Sequence, residues 1–278
     1  MTTAVIDLGR LRRRFGGDGW IGVGLVTFVL ALALVGPFFV PYNPGASVGV
    51  PGVTPSAHFL LGTDVAGRDV LSRLLVGGRT VLLFTFASVL IAYGLGIVIG
   101  LAAGHRRSIV DSVLMRPMDL LIALPPILLV LLAISGLGSS PLVLVGAVAF
   151  VQMPFIARVV RTAALEVSVR GYVEVAVARG EPRRWLFARE FMPNIIGPVI
   201  ADFGLRFAYA VVLLASLNFL GLGLPPGTPD WGLMVAENRE IISSNPWSVF
   251  APAMALALLT IGVNLVGQGI TRLVAKDI

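Results

Sequence analysis

Few residues of this 278-residue sequence are of types that carry out chemistry. There are two histidines, His58 and His105, a single lysine, Lys276, and no cysteine. A loop that holds ATP phosphates requires a lysine after a glycine-rich turn, and Lys276 follows no such turn. The lack of cysteine excludes disulfides, thiolate metal sites and thiol nucleophiles. We therefore expect no catalytic site, no metal site and no cofactor bound by this chain.

Another pair of residues with possible chemistry lies within an apolar run. Asp202 and Arg206 are four residues apart, which places both on one face of a helix. Leaving either charge alone in lipid would cost several kcal/mol, so they are expected to pair or to face a wet cavity. A structural ion pair is the favoured interpretation, and contact with a transported solute is the alternative.

The composition determines the class of protein that must position these residues. Hydrophobic residues make up 56% of the chain and charged residues only 13%, with a mean hydropathy of +0.92. These values are typical of an integral membrane protein. The formal charge of +6 comes from arginines in short clusters between apolar runs, a pattern of membrane topology that argues against nucleic-acid binding.

Six apolar runs are predicted to span the membrane, because about twenty helical residues cross a hydrocarbon core of about 30 Å. Gly96, Gly100 and Gly104 recur on one face of the second run and predict close approach of another helix. The proline pair 125–126 predicts a break in the third run, and Gln152 with Pro154 marks the fourth as short. The predicted spans are 20–40, 81–103, 118–137, 141–156, 195–220 and 250–266.

The basic residues indicate how these spans are oriented. With both termini in the cytoplasm, 16 of the 21 lysines and arginines fall on the inner side, four on the outer side and one inside a span. This asymmetry is what the positive-inside rule requires. The sequence therefore predicts an all-α membrane protein of six transmembrane helices with both ends cytoplasmic and membrane lipid around it.

The outer segment at 41–78 is rich in proline and glycine and too polar to span. Thr63 or Asp64 is placed to cap a helix, and Asp64 with Arg68 and Asp69 with Arg73 are acid-first pairs four residues apart. We expect these pairs on the polar face of an amphipathic helix that rests on the outer membrane interface.

A basic stretch at 172–198 lies between the fourth and fifth spans. Small and apolar residues alternate with charges at helical spacing, and Gly180 followed by Pro182 supplies a break between two short helices. The sequence predicts a helix-turn-helix elbow on the inner side.

The elbow resembles the cytoplasmic loop of ABC-importer permeases, whose pattern places Glu174-Val175-Ala176, Gly180 and Phe191-Met192-Pro193 at matching separations. Val175 and Met192 depart from the usual residues of that pattern. The resemblance implies a coupling helix, within a loop at 158–194, that sits in a groove of an ATPase subunit. The alternative is an ordinary interfacial loop made basic by topology. The residues assigned to coupling are Tyr172, Glu174, Ala176, Ala178, Gly180, Arg183 and Pro193.

Two outer segments are similar to the dipeptide, oligopeptide and nickel branch of these permeases. The first runs from Leu61 to Arg79, and the second, after the fifth span, resembles the outer loop of the C-type subunit. Asn218 stands where serine is common and Leu214 where many members carry glutamate, so no cation-binding role is expected there. The residues assigned to the outer interface are Gly62, Thr63, Asp64, Gly67, Arg68, Asp69 and Arg73. Those assigned to an outer gate loop are Phe219, Gly221, Gly223 and Trp231.

The resemblance implies the type I ABC importer transmembrane fold. It divides the chain into a tail, first span and outer segment at 1–78, a transmembrane domain at 79–271 and a tail at 272–278. The expected partners are a second, B-type permease subunit, two ATPase subunits that bind ATP and Mg²⁺, and an extracellular or periplasmic substrate-binding protein.

The expected function is import of di- or oligopeptides across a prokaryotic inner membrane. Nickel complexes or another small solute are alternative cargoes of the same machinery. A stand-alone channel or secondary transporter is the alternative from a different class, and a purely structural membrane anchor is a third.

Overall fold

The computed structural model describes residues 8–104 and 109–274, and all regular elements in these ranges are helical. The predicted inner residues His105, Arg106, Arg107 and Lys276 lie outside the described residues. The α-helices are α1 (Leu8–Leu34), α2 (Val70–Gly104), α3 (Ile109–Ala123), α4 (Pro126–Leu137), α5 (Pro141–Ser168), α6 (Gly171–Ala178), α7 (Arg183–Leu186), α8 (Met192–Phe219), α9 (Trp231–Asn238) and α10 (Trp247–Val274).

Five stretches of the described chain are long and apolar enough to cross a membrane. The pair α3 and α4 supplies a sixth when it is counted as one span, and its two helices meet at 97°. The prediction of an all-helical protein with six spans is confirmed on that count. The five continuous stretches are Phe15–Leu34, Val70–Gly104, Pro141–Ser168, Arg184–Phe219 and Trp247–Leu273.

The first span packs along the last one. Glycines allow the approach, because a Cβ added at Gly22 would lie 2.8 Å from the carbonyl oxygen of Gly262. The prediction that this span continues to residue 40 is wrong. Helix α1 ends at Leu34, and a short 3-10 helix at Gly36–Phe39 follows, since Pro37 fits the start of a new helix better than the interior of an existing one.

The predicted glycine face of α2 is confirmed as its contact with α5. Gly96, Gly100 and Gly104 all lie against α5. A Cβ at Gly100 would lie 2.6 Å from the carbonyl oxygen of Ala157 and from the Cβ of Val160. The two backbones therefore approach too closely for any larger residue, and van der Waals packing holds α2 against α5.

Gly100→Leu is expected to destabilise the protein by about 1–3 kcal/mol, because the added side chain must push α5 away from α2. Gly94→Leu is the matched control on the same helix, since an added Cβ at Gly94 would have nothing within 4 Å. Thermal unfolding of both variants in detergent checks the prediction. An equal loss of stability in the two variants would contradict it.

The predicted break at the proline pair 125–126 is confirmed by the bend between α3 and α4. Ion pairs fix α3 to the C-terminal half of α5. Arg161 donates to both carboxylate oxygens of Asp111 at 2.6 and 2.7 Å, and Arg158 donates to Asp119 at 2.6 Å. These ion pairs hold α3, the first half of the broken span, against α5.

The prediction of a short, interrupted fourth span is wrong. Helix α5 runs for 28 residues without interruption, with Gln152 and Pro154 both buried inside it. A membrane helix tolerates an internal proline where neighbouring helices pack around it, and Pro154 is buried in such a position. Separately, the Gln152 amide donates to the carbonyl oxygen of Arg206 in α8 at 2.9 Å. The C-terminal half of α5 extends to Ser168, close to the start of the elbow.

The predicted division of the chain at residues 78 and 271 does not coincide with the ends of elements. Residue 78 lies inside α2, whose 35 residues at about 1.5 Å each exceed the thickness of a bilayer. Residue 271 lies inside α10. The outer segment and the second span are thus joined by one rigid helix.

Candidate functional site

The elbow consists of α6, a turn at Gly180 and α7, as the sequence predicts. Gly180 has φ +76°, a left-handed conformation that glycine adopts at little cost, and its N–H donates to Val177 O at 3.0 Å. Pro182 follows and begins the next turn, in which its carbonyl accepts from the N–H of Trp185 at 2.9 Å. The break between α6 and α7 is thus formed by one glycine and one proline.

One side of α6 packs against the body of the protein, and the rest of the helix is exposed. Val173 and Ala176 are buried against the body of the protein, whereas Tyr172, Val175 and Val177 are 40%, 56% and 37% exposed. These apolar side chains lie between α5 and α8, at the ends of two spans. An exposed apolar surface outside the spans is typical of a site that binds another protein.

The elbow continues directly into the fifth span. Residues Phe187–Phe191 form a π-helical turn, and the rings of Phe187 and Phe191 pack edge to face with centroids 5.6 Å apart. Such turns are frequent at functional sites. Phe191 is fully buried, and α8 starts at Met192, so no loop separates this turn from α8.

Six of the seven residues assigned to coupling lie in this elbow and Pro193 lies just after it, and their exposures differ. Tyr172, Glu174 and Ala178 are exposed on α6, whereas Ala176 faces the core. Arg183 starts α7, and its side chain lies outside the described part of the structure. Pro193 is exposed in the first turn of α8.

The outer segment contradicts the prediction of a helix that begins at Thr63 or Asp64. Residues 61–69 form turns and an isolated bridge between Thr63 and Asp69, and α2 begins only at Val70. Asp69 accepts from the N–H of Ser72 at 2.8 Å, so it caps α2 instead of pairing with Arg73. The glycines explain the turns, since Gly62 and Gly67 have φ +74° and +73°.

The charges of this segment form a buried cluster, which we call the outer cluster: Asp64, Arg68, Arg73 and Glu237. Asp64, fully buried, accepts from Arg68 Nε at 2.7 Å and from a terminal nitrogen of Arg73 at 2.6 Å. Glu237 accepts from the same two arginines at 3.1 and 3.0 Å. The predicted pair of Asp64 with Arg68 forms, although within a turn.

Sequence reasoning missed the partners that α9 and its flanking loop supply to this segment. Asn238 accepts from the N–H of Val65 at 2.9 Å, and Asn245 donates to the carbonyl oxygens of Leu61 and Thr63 at 2.9 and 3.1 Å. These contacts join residues more than 170 positions apart, and no local pattern signals them. Asn238 and Asn245 therefore tie the segment before α2 to the end of α9 and to the segment before α10, alongside the outer cluster.

The residues assigned to an outer gate loop lie between α8 and α9. Phe219 ends α8, and Gly221 has φ +73° in the turn that follows. Gly223 packs so closely on Asn218 that a Cβ would clash with its side chain. Trp231 is fully buried at the start of α9 and donates to Leu74 O at 2.8 Å, which fixes this loop to α2.

Asp230 caps α9 from a buried position. Its carboxylate accepts from the N–H groups of Gly232 and Leu233 at 2.9 and 3.1 Å and from the Asn218 amide at 2.8 Å. Burial nevertheless raises the pKa of Asp230 to about 6, because it disfavours the charged carboxylate more than these hydrogen bonds stabilise it. Asn218, which replaces the more usual serine, is thus part of the cap.

This carboxyl is expected to make the outer loop less stable as pH rises. A raised carboxyl pKa means that the folded state binds more protons than the unfolded state, so the stabilisation is present below about pH 4 and is lost as pH rises through about 6. Hydrogen exchange of the α9 amides between these pH values measures the effect. Asp230→Asn should remove the dependence, and Glu240→Gln, at an exposed position, should leave it. Unchanged dependence in Asp230→Asn would contradict the assignment.

The predicted intramembrane pair forms. Arg206 Nε lies 3.2 Å from both carboxylate oxygens of Asp202, and the hydroxyl of Tyr93 donates to the same carboxylate at 2.9 Å. The guanidinium lies over the ring of Phe155 at 5.0 Å. Tyr93 was not anticipated, because it is 109 positions from Asp202 and belongs to α2.

No group of three or more histidine, cysteine, aspartate or glutamate side chains in the described ranges is arranged to hold a metal ion. The site is therefore made of an exposed apolar elbow, a polar cluster within the spans and a buried ionic cluster outside them.

The chain belongs to the family of binding-protein-dependent transport system inner membrane components, whose model matches residues 96–278. The resemblance to ABC-importer permeases is confirmed, and the protein is a multi-pass component of the bacterial inner membrane. Permeases of this family work with ATPase and substrate-binding partners and are not themselves catalytic.

The alignments with three relatives cover most of the chain. It is 36% identical over 256 residues to the di/tripeptide transport system permease protein DppC of Pseudomonas aeruginosa, covering 90% of this chain and 84% of that protein. It is 31% identical to the dipeptide permease DppC of Alkalihalophilus pseudofirmus, with 90% and 83% covered. It is 32% identical to the glutathione transport system permease protein GsiD of Pectobacterium atrosepticum, with 90% and 84% covered.

Proposed function

We propose that this chain forms half of the translocation pathway of an ATP-driven importer of short peptides. The observation that carries the proposal is the match of nearly the whole chain to permeases named for dipeptides and tripeptides. Glutathione, named for another relative, is itself a tripeptide. These names favour peptides over nickel complexes as the cargo.

The proposed partners are a second, B-type permease subunit, two ATPase subunits and a substrate-binding protein outside the membrane. ATP and Mg²⁺ bind to the ATPases, and this chain binds no cofactor and catalyses no reaction. Both ends of the chain and the elbow lie in the cytoplasm. The excess of basic residues on that side supports the orientation, with 16 of 21 on the proposed inner face.

In the proposed mechanism the exposed side of α6 sits in a groove of an ATPase subunit. Tyr172 and Val175 supply apolar contact, and Glu174 supplies a charge at the same surface. Closure of the ATPases on ATP displaces the elbow. The π-helical turn at Phe187–Phe191 passes this displacement to α8, whose outer end is joined to the outer gate loop. Such movement of rigid elements is a common form of conformational switching.

Reconstitution of the chain with its partner subunits and binding protein in lipid vesicles tests this function. We expect uptake of a radiolabelled dipeptide that requires ATP and the binding protein. The chain alone, under a proton or sodium gradient, should transport nothing. Gradient-driven flux by the purified single chain would instead identify a secondary transporter and overturn the proposal.

A further inference from the structure

Arg206 lies at the middle of α8, which belongs to a stretch long and apolar enough to cross a membrane. It is the fifteenth of the 28 residues of α8, about 21 Å from Met192 at a rise of about 1.5 Å per residue. Tyr93 and Gln152 reach its surroundings from the interiors of α2 and α5, at least ten residues from either end of each helix. A charge at this depth is expensive, and it persists where it faces water or another polar group.

One edge and one face of the Arg206 guanidinium are fixed by this chain. Nε donates to Asp202, whose carboxylate also accepts from Tyr93, and the Phe155 ring covers one face. The Gln152 amide holds the backbone of the same residue through the carbonyl oxygen of Arg206. Three helices thereby determine the direction in which the guanidinium points.

The other edge is available. Within the described residues no hydrogen bond engages the two terminal nitrogens of Arg206, and its side chain keeps 16% of its surface exposed. Tyr209, one turn further along α8, is 39% exposed. The side chain of Arg206 is therefore not closed off from the surroundings of this chain, and its terminal nitrogens are open to a ligand.

We propose that Arg206 lines the solute pathway and binds the carboxylate of the transported solute at mid-membrane depth. A guanidinium presents two parallel N–H donors that match the two oxygens of a carboxylate, and the free edge leaves such a pair of donors open. Asp202 and Tyr93 are positioning residues, since Asp202 accepts from Nε and Tyr93 donates to the Asp202 carboxylate. The inference rests on the proposed function and assigns the chemical class of cargo: small solutes that carry a free carboxylate.

The absence of native cysteine allows a direct test in the assembled importer, with partner subunits made free of reactive cysteine. Tyr209→Cys places a thiol one turn from Arg206. We expect an anionic sulfonatoethyl thiosulfonate reagent to label it several-fold faster than a cationic trimethylammonium reagent, because the thiol is one turn from the positive charge of Arg206 and two turns from the negative charge of Asp202. Adding Arg206→Lys should keep this preference, and adding Arg206→Gln should remove it.

Glycylglycine and its C-terminal amide supply the second readout. The free dipeptide should slow the labelling, and the amide should not. Three results would each overturn the inference. The thiol could react with neither reagent, the preference could persist in Arg206→Gln, or the two peptides could have the same effect on labelling. Labelling does not require ATP hydrolysis, so its outcome is separable from failure of the coupling that the proposed function needs.

Discussion

Replacing Arg73 by methionine is expected to lower the free energy of unfolding by about 3–5 kcal/mol, the usual cost of removing one partner from a buried ionic cluster. Arg73 is fully buried and donates to Asp64, to Glu237 and to the carbonyl oxygen of Thr228. Without it, two carboxylates are left with Arg68 as their shared cation. The measurement is chemical unfolding in mixed micelles, together with the amount of protein recovered from membranes.

Arg79→Met is the matched control, on the same helix. Arg79 is exposed and its described hydrogen bond goes to the carbonyl oxygen of Leu34 at 2.8 Å, so a change within about 0.5 kcal/mol is expected. Adding Glu237→Gln to Arg73→Met should restore part of the stability, since it removes one uncompensated charge. Equal stability of Arg73→Met and the parent would show that the outer cluster does not hold the two outer segments together.

Gly180→Val is expected to reduce peptide uptake about tenfold or more without changing the amount of protein in the membrane. The left-handed conformation at Gly180 costs about 1–2 kcal/mol for a residue with a Cβ and more for a β-branched one, and about 1.4 kcal/mol corresponds to a factor of ten in population. The variant therefore populates a differently angled elbow. Uptake and ATP hydrolysis by the reconstituted importer are measured side by side.

Gly171→Val is the control that distinguishes the effect of backbone conformation from the effect of a larger side chain. A Cβ added at either glycine would have nothing within 4 Å, but only Gly180 has a positive φ. Gly171→Val should therefore transport normally. Gly180→Asn should fall between the parent and Gly180→Val, because asparagine tolerates the left-handed region better than valine does. Equal uptake by the two valine variants would mean that the angle of the elbow is not needed for transport.

The structure could be predicted from the sequence where the backbone properties of neighbouring residues determine it. The break at Gly180 and Pro182, the bend at the proline pair 125–126 and the glycine face of α2 each depend on backbone properties of the residues themselves. Membrane class and span number followed from composition, because a lipid environment demands long apolar helices.

Contacts between distant segments could not be predicted in this way. Spacing of four residues suggested a pair of Asp69 with Arg73, yet Asp69 caps α2 and Arg73 pairs with Asp64 and with Glu237, which is 164 positions away. Local spacing assumes a helix, and the glycines of this segment form turns instead. The predicted end of the fourth span at 156 failed because proline breaks helices more readily in water than among packed membrane helices.

The central claim, that the elbow is pressed by an ATPase subunit from the cytoplasm, is tested most directly by site-specific crosslinking in the assembled importer. Val175→Cys carries a thiol-linked benzophenone on the exposed side of α6, and Val50→Cys, 71% exposed in the outer segment, is the matched control. We predict that illumination joins Val175→Cys to an ATPase subunit and that Val50→Cys gives no such product. Labelling of Val175→Cys by a membrane-impermeant reagent from outside intact cells, or crosslinking to no ATPase, would contradict the account.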